Sequence, residues 1–249
     1  AVVTAIGCDA GGWRRVLGVD VVDTESHDSW LAFLRAIRLR GAAGVRLVVS
    51  DAHPGLVRAL GEVFQGAAWQ RCAVHLMRDC MREAGSWQLR RRVGRIVSQV
   101  FRGRDAATVV AMYHAACDML EECCPRAAAV LEEAEPDALA YLDFPPAHWK
   151  RLRTNNVQER TNREIKRRSR VVQVFPSTGS LVRLAGAVMC ERDEVWQGSR
   201  YFSEARMNEL YDEGRTRGID GPVDWARLEA EARRMIESGL ELADRVETA

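Results

Sequence analysis

Every segment that reads as a β-strand lies in the first seventy residues, and the remainder is helical in pattern. Ala1–Cys8 is a short apolar run with Val2, Val3 and Ile6, and Trp13–Val22 is a second, Val-rich run. Between them Asp9-Ala10-Gly11-Gly12 supplies turn chemistry, so the pair predicts a β-hairpin. Ser26–Arg40 puts Trp30, Phe33, Leu34 and Ile37 on one helical face, and Gly41 and Gly44 mark its end. Val45–Ser50 is a compact apolar run of the kind buried on both faces of a sheet. Pro54 suits the first turn of a helix reaching Phe64, and Ala67–Gln70 reads as one more short strand. The order β-β-α-β-α-β predicts a mixed α/β sheet with helices on it.

From Ser86 to Ala140 the pattern is helical throughout, punctuated by Pro125 and Pro136, which reads as an all-helical insertion. A Pro- and aromatic-rich connector, Asp143–Trp149, leads to a strongly basic helix over Asn155–Arg168 and another over Gly179–Gln197. In the latter, Leu181, Leu184, Val188 and Trp196 are expected core contacts. Beyond Tyr211 the chain is glycine-rich and charged, then predicts a helix over Val223–Ser238. The expected organisation is a core in two parts, 1–85 and 151–211, a helical insertion at 86–150 and a helical extension at 212–249.

Bulk properties narrow the function. The net charge is only +1, so any nucleic-acid contact must rest on local clusters. The densest is Arg160–Arg170, with six basic residues (Arg160, Arg163, Lys166, Arg167, Arg168 and Arg170) and one acid, Glu164. With so few acids nearby, this stripe is read as a phosphate-binding face rather than a self-neutralised one. Seven irregularly spaced cysteines do not make a disulfide framework and suit a reducing cytoplasm. No apolar run approaches a membrane span. Neither a P-loop, a dinucleotide fingerprint nor a nucleophile elbow is present, which argues against nucleotide-driven or acyl-transfer chemistry.

Two carboxylates stand out. Asp51 lies just past a strand, where α/β folds collect ligands, although a helix N-cap for the segment at Pro54 is an equally simple role. Glu159 sits at a helix start, three residues after Asn156, where either a capping-box acid or a metal ligand belongs. Glu164 is a rival acid, but five residues on it points roughly 140° away around the helix. His53 is a possible general base beside Asp51. Cys72 and His75 form Cys-x-x-His with Cys80 beyond, but zinc needs four ligands and no second pair lies at finger spacing.

Three ordered blocks carry a resemblance: Gly44–Leu56 around Asp51, Trp69–His75 with its Cys-x-x-His, and Thr154–Arg168 with Asn155, Asn156, Glu159 and Arg160. Phe144–Trp149, Phe175-Pro176 and Arg200–Ser203 support them. Together, over residues 1–211, they resemble the Mutator-type transposases of bacterial insertion sequences. That resemblance implies an RNase H-like fold with a helical insertion. It implies an Asp-Asp-Glu site with Asp51 as second acid, Glu159 as third, and Mg²⁺ or Mn²⁺ as a pair of cofactors. The chemistry implied is cleavage and strand transfer on double-stranded DNA, both transposon inverted repeats and target. A homo-oligomer in the active complex and association with the bacterial nucleoid are implied as well. The family's first acid lies on a strand upstream of the hairpin. Asp9 falls in the hairpin turn and Asp20 on its second strand, so neither takes that place. The chain also opens with Ala1 inside a strand, so this reading expects a fragment with its first strand missing, inactive by itself. The alternatives are a catalytically dead DNA-binding remnant and an RNase H-like nuclease that cuts without joining.

Overall fold

The computed structural model describes residues 1–211, 217–219 and 221–247. Its elements run β1 (Val2–Cys8), β2 (Arg14–Val21), α1 (His27–Leu39), β3 (Leu47–Ser50), α2 (Pro54–Val63), β4 (Ala68–Arg71), α3 (Ala73–Arg82) and α4 (Trp87–Val100). They continue α5 (Ala106–Cys123), α6 (Pro125–Ala138), α7 (Trp149–Leu152), α8 (Asn156–Val172), α9 (Thr178–Gln197), α10 (Glu204–Tyr211) and α11 (Trp225–Glu247). Two compact units result: Ala1–Trp69 with Asn155–Asp212, and Gln70–Thr154 with Glu213–Ala249.

In the first unit, the predicted hairpin forms. β1 pairs antiparallel with β2, with a register irregularity between Ala5 and Ile6, and Asp9 closes the turn by accepting from the backbone N–H groups of Gly11 and Trp13. Strand alternation sorts the side chains between two faces. Val3, Ala5 and Leu17 join the core made with α1 and α2, while Val2, Ile6, Val16 and Val19 pack on Ile165, Ala185, Val188 and Met189 of α8 and α9. Gly12 is required where it stands. Its φ is +81°, a Cβ there would lie 2.2 Å from the Phe202 carbonyl, and its own carbonyl accepts from the N–H groups of Tyr201 and Phe202.

The expected single mixed sheet is instead two two-stranded ladders, β1 with β2 and β3 with β4. Among the described residues no strand bridges them. They share one apolar core, to which Val3 comes from β1, Val48 from β3 and Trp69 from β4. β3 was expected to be buried on both faces, but all four of its residues are only half-buried. Its one paired edge is to β4, and Val48 is its contact with the core.

The second unit is helical and built around α5, whose Val109, Ala111, Met112, Tyr113, Ala116 and Leu120 are all buried. A helix apolar on nearly every side must lie inside a bundle. Gln70 is fully buried here and fully bonded: its Nε2 donates to the Ala138 carbonyl at 2.8 Å, and its Oε1 accepts from the Tyr141 N–H at 2.8 Å. Two expected boundaries move. The helical unit begins at Gln70 rather than 86, so α3 belongs to it. The expected 212–249 extension is not separate either: α11 seats Ala232 and Ile236 in the same core, while residues 212–216, 220, 248 and 249 lie outside the described residues. Of the two prolines that punctuate this stretch, Pro125 opens α6 and Pro136 sits inside it near its end. No described helix is long and apolar enough to cross a membrane.

The link between α8 and α9 is partly ionic. Glu164 accepts from Arg167 at 2.7 and 2.9 Å and from Arg168 at 2.8 Å, and Arg168 donates to both oxygens of Glu191 on α9 at 2.8 and 2.6 Å. Bidentate guanidinium pairing of this kind is strong and directional. The bonds from Arg167 and Arg168 depress the Glu164 carboxyl to about 2. A depressed carboxyl contributes stability that is present above its ordinary value and lost as pH falls through the folded one. The wild-type chain should therefore lose this contribution as pH drops from about 4.3 towards 2. Glu164→Gln should lower the melting temperature at neutral pH and flatten the acid limb of a circular-dichroism pH titration. An unchanged acid limb would show that the clamp does not hold the helices.

Candidate active site

Asp51 follows β3 directly and is exposed. Its backbone is braced by a relay: Trp69 Nε1 donates to Ser50 Oγ at 2.9 Å, and Ser50 Oγ donates to the Asp51 carbonyl at 2.7 Å. The side-chain carboxylate makes no hydrogen bond or ion pair among the described residues. The helix-capping role open to Asp51 belongs to His53, whose Nδ1 accepts from the Leu56 N–H at 3.4 Å, with Pro54 in the first turn of α2. His53 also lies against Trp30, ring centroids 6.5 Å apart. Its Nδ1 lone pair is thus committed to the helix end, and its place as a general base is not supported by this geometry.

Glu159 lies half-buried in the first turn of α8. The N-cap is Asn155, one residue earlier than expected; it makes no side-chain cap bond, and the Glu159 N–H donates to its carbonyl at 3.0 Å. Glu159 is therefore one position past the capping-box site. The helix carrying it is seated on β1. Gln158 Nε2 donates to the Thr4 carbonyl at 2.9 Å and also to Thr4 Oγ1, which in turn donates to Asn162 Oδ1 at 3.1 Å. Below these, Thr161 and Ile165 are buried. Gln158, Thr161, Asn162 and Ile165 occupy one helical face by their three- and four-residue spacing. Gln158 and Asn162 carry no charge and so stand outside the charge pattern; three- and four-residue spacing of uncharged polar residues is the signal that finds them, while their partner Thr4 on β1 has no signal along the chain.

Glu164, the rival acid, is engaged by Arg167 and Arg168 as described, and this same network corrects the reading of the basic stripe. The sequence around the run offers almost no acids to pair with, yet Glu164 and Glu191 engage Arg167 and Arg168. Glu191 comes from the next helix, a partner that spacing along α8 cannot reveal. Arg160, Arg163, Lys166 and Arg170 remain exposed, with no ion pair among the described residues.

Cys72 and His75 fall in the second unit. Cys72 is buried at the N-cap of α3, and His75 is half-buried in that helix's first turn. Burial, followed by the charge of Asp79, pushes the neighbouring Cys80 thiol up to about 12, so it is neutral at physiological pH. Among the described residues no three His, Cys, Asp or Glu side chains are grouped to hold a metal ion. Asp51 and Glu159 belong to the first unit, as two acids rather than three.

The sequence matches the family model described as "Transposase, Mutator family" over residues 1–199. It is 42% identical over 201 residues to the transposase for insertion sequence element IS1081 of Mycobacterium tuberculosis (strain ATCC 25618 / H37Rv), covering 80% of this chain and 48% of that protein. It is 36% identical over 202 residues to the transposase for IS406 of Burkholderia multivorans, covering 81% and 52%. The transposase for IS256 in transposon Tn4001 of Staphylococcus aureus is 32% identical over 197 residues, covering 77% and 49%. The chain spans about half the length of the curated relatives it matches. By this match, which takes in both Asp51 and Glu159, the chain belongs to the Mutator family of transposases.

Proposed function

We propose that this chain is the Asp51- and Glu159-bearing part of an insertion-sequence transposase that cleaves and joins double-stranded DNA at an Asp-Asp-Glu site. The observation that carries the reading is the pairing of an exposed carboxylate with no partner among the described residues, at a braced strand end, with a second carboxylate on a helix docked to the same unit. The competing acid, Glu164, is already held by two arginines. The fold proposed is RNase H-like. On that view the two ladders are flanks of one sheet, and a strand carrying the first acid lies between β1 and β3 in the intact protein. The half-burial of β3 supports this.

Asp51 and Glu159 offer hard oxygen donors, the chemistry that Mg²⁺ and Mn²⁺ select, so these two residues suit such ions and would supply part of the ligand set of a pair. When bound, the ions supply charge neutralisation and activation at the scissile phosphodiester. The chain's own residues fix where that happens. Ser50 and Trp69 hold the Asp51 backbone, and Thr4, Gln158 and Asn162 hold the helix turn of Glu159. Arg160, Arg163, Lys166 and Arg170 neutralise phosphates of the bound duplex, the inverted-repeat end or the target. Because transposition brings two ends together, the active complex is proposed to be a homo-oligomer, acting in the cytoplasm on the nucleoid. With only two acids of the triad, the chain by itself should have little or no strand-transfer activity.

Convergence of the two acids can be measured without activity. Fe²⁺ in place of Mg²⁺, with ascorbate and peroxide, cuts polypeptide backbone close to the ion. Cuts are expected around both 51 and 159, lost together in Asp51→Asn or in Glu159→Gln and retained in Glu164→Gln. Cutting at one position alone would sink the shared site. In a full-length relative carrying the equivalent changes, strand transfer should fall by more than about 100-fold, since even outer-sphere changes at metal sites cost up to that much.

DNA contact is tested by salt. In Arg163→Ala/Lys166→Ala, the slope of log affinity against log salt should shrink by roughly 2, about 0.9 for each phosphate left without its cation. An unchanged slope would remove α8 from the interface.

A further inference from the structure

The segment joining α8 to α9 presents aliphatic side chains to solvent. Val171 is 79% exposed, Val172 44% and Val174 79%, and Gln173 and Pro176–Gly179 are exposed too. The backbone holds this shape with a tight turn: the Val174 N–H donates to the Val172 carbonyl at 2.7 Å around Gln173, whose φ of +60° and ψ of −61° form a γ-turn. Such a turn is rare and strained for a residue other than glycine, and strain of this kind is concentrated at functional segments.

The charges around the tip are one-sided. Arg163, Lys166 and Arg170 precede it on α8 and Arg183 succeeds it on α9, all exposed and without an ion pair among the described residues. The only acid between Arg160 and Arg183 is Glu164, already bound by Arg167 and Arg168. Clustered cations call for a polyanion. Phosphates alone give no use for the valines, and stacked bases in regular duplex hide their faces. An opened base step uncovers apolar base surface and kinks the duplex, and proteins that exploit this insert apolar wedges there while cations hold the flanking phosphates. Single strands are instead usually gripped by aromatic platforms, and the one aromatic here, Phe175, is half-buried.

We propose that the α8–α9 tip is a wedge for distorted duplex DNA: Val171 and Val174 enter an opened base step while Arg163, Lys166 and Arg170 hold the phosphates beside it. The proposal rests on the transposase reading above and adds a preference for opened over regular duplex. The test uses the whole chain and a short mixed-sequence duplex, either fully paired or with a central mismatched pair beside a fluorescent purine analogue. The chain should bind the mismatched duplex roughly tenfold more tightly, because the mismatch already supplies part of the unstacking a paired duplex would require, with a rise in analogue fluorescence. Val171→Ser/Val174→Ser, at exposed positions that leave the core intact, should abolish the preference and the fluorescence rise. It should keep paired-duplex affinity within about twofold, since the phosphate contacts that set it are untouched. A preference retained in the variant, or absent from the parent, overturns the wedge alone. A variant whose only change is weaker self-association in sedimentation makes the patch a protein interface and likewise overturns it. Binding to neither duplex overturns the DNA-binding part of the transposase reading as well.

Discussion

The seating of α8 on the β-hairpin is the contact that fixes where Glu159 stands in the first unit. Two kinds of interaction share that task. Ile165 packs with Ala185, Val188 and Met189 of α9 against Val2, Ile6, Val16 and Val19 of the hairpin. Each large aliphatic side chain buried there contributes about 1.5–3 kcal/mol, whereas a hydrogen bond such as Gln158 to Thr4 contributes about 0.5–1.5 net. The apolar layer therefore supplies most of the stability. The amides supply register: a helix sliding along a greasy surface loses little, but one sliding past Thr4 leaves polar groups unbonded. Glu159, next to Gln158, inherits that register.

Charge is handled by division along the same helix. Arg167 and Arg168 are tied to Glu164 and Glu191, which fastens α8 to α9 and leaves the Glu164 carboxylate held by two guanidinium groups. The cations nearer the start of the helix, with Arg170 at its end, stay exposed. One basic run thus forms a brace in its middle and leaves exposed cations, without an ion pair among the described residues, around it. The helix then ends in the strained turn at Gln173, where the surface changes abruptly from cationic to aliphatic.

The split between the ladders and the half-burial of β3 have a common cause. A run such as Leu47–Ser50 has the composition of a strand covered on all sides, but coverage comes from neighbours rather than from composition. In the second unit the reverse holds. α5 finds helices on every side and buries Tyr113 completely, and Gln70 replaces all its water contacts with backbone partners. Phe144–Trp149, part of the family resemblance, is a packing element there: Trp149 Nε1 donates to the Phe144 carbonyl at 2.7 Å, and its ring meets Tyr141 edge-on.

Local chemistry settled what could be read along the chain. The hairpin turn at Asp9–Gly12, the apolar face of α1, Pro54 in the first turn of α2 and the basic character of α8 all arise from residues close in sequence, because turn geometry and helical periodicity act over a few positions. So did the family, since its blocks are ordered motifs. Tertiary structure decided the rest. His53 rather than Asp51 caps α2; Glu191, more than twenty residues away, captures Arg168; and α3 and α11 join the helical unit. Each depends on which surfaces meet in space, and a chain's periodicity states that a face is apolar or charged without naming its partner.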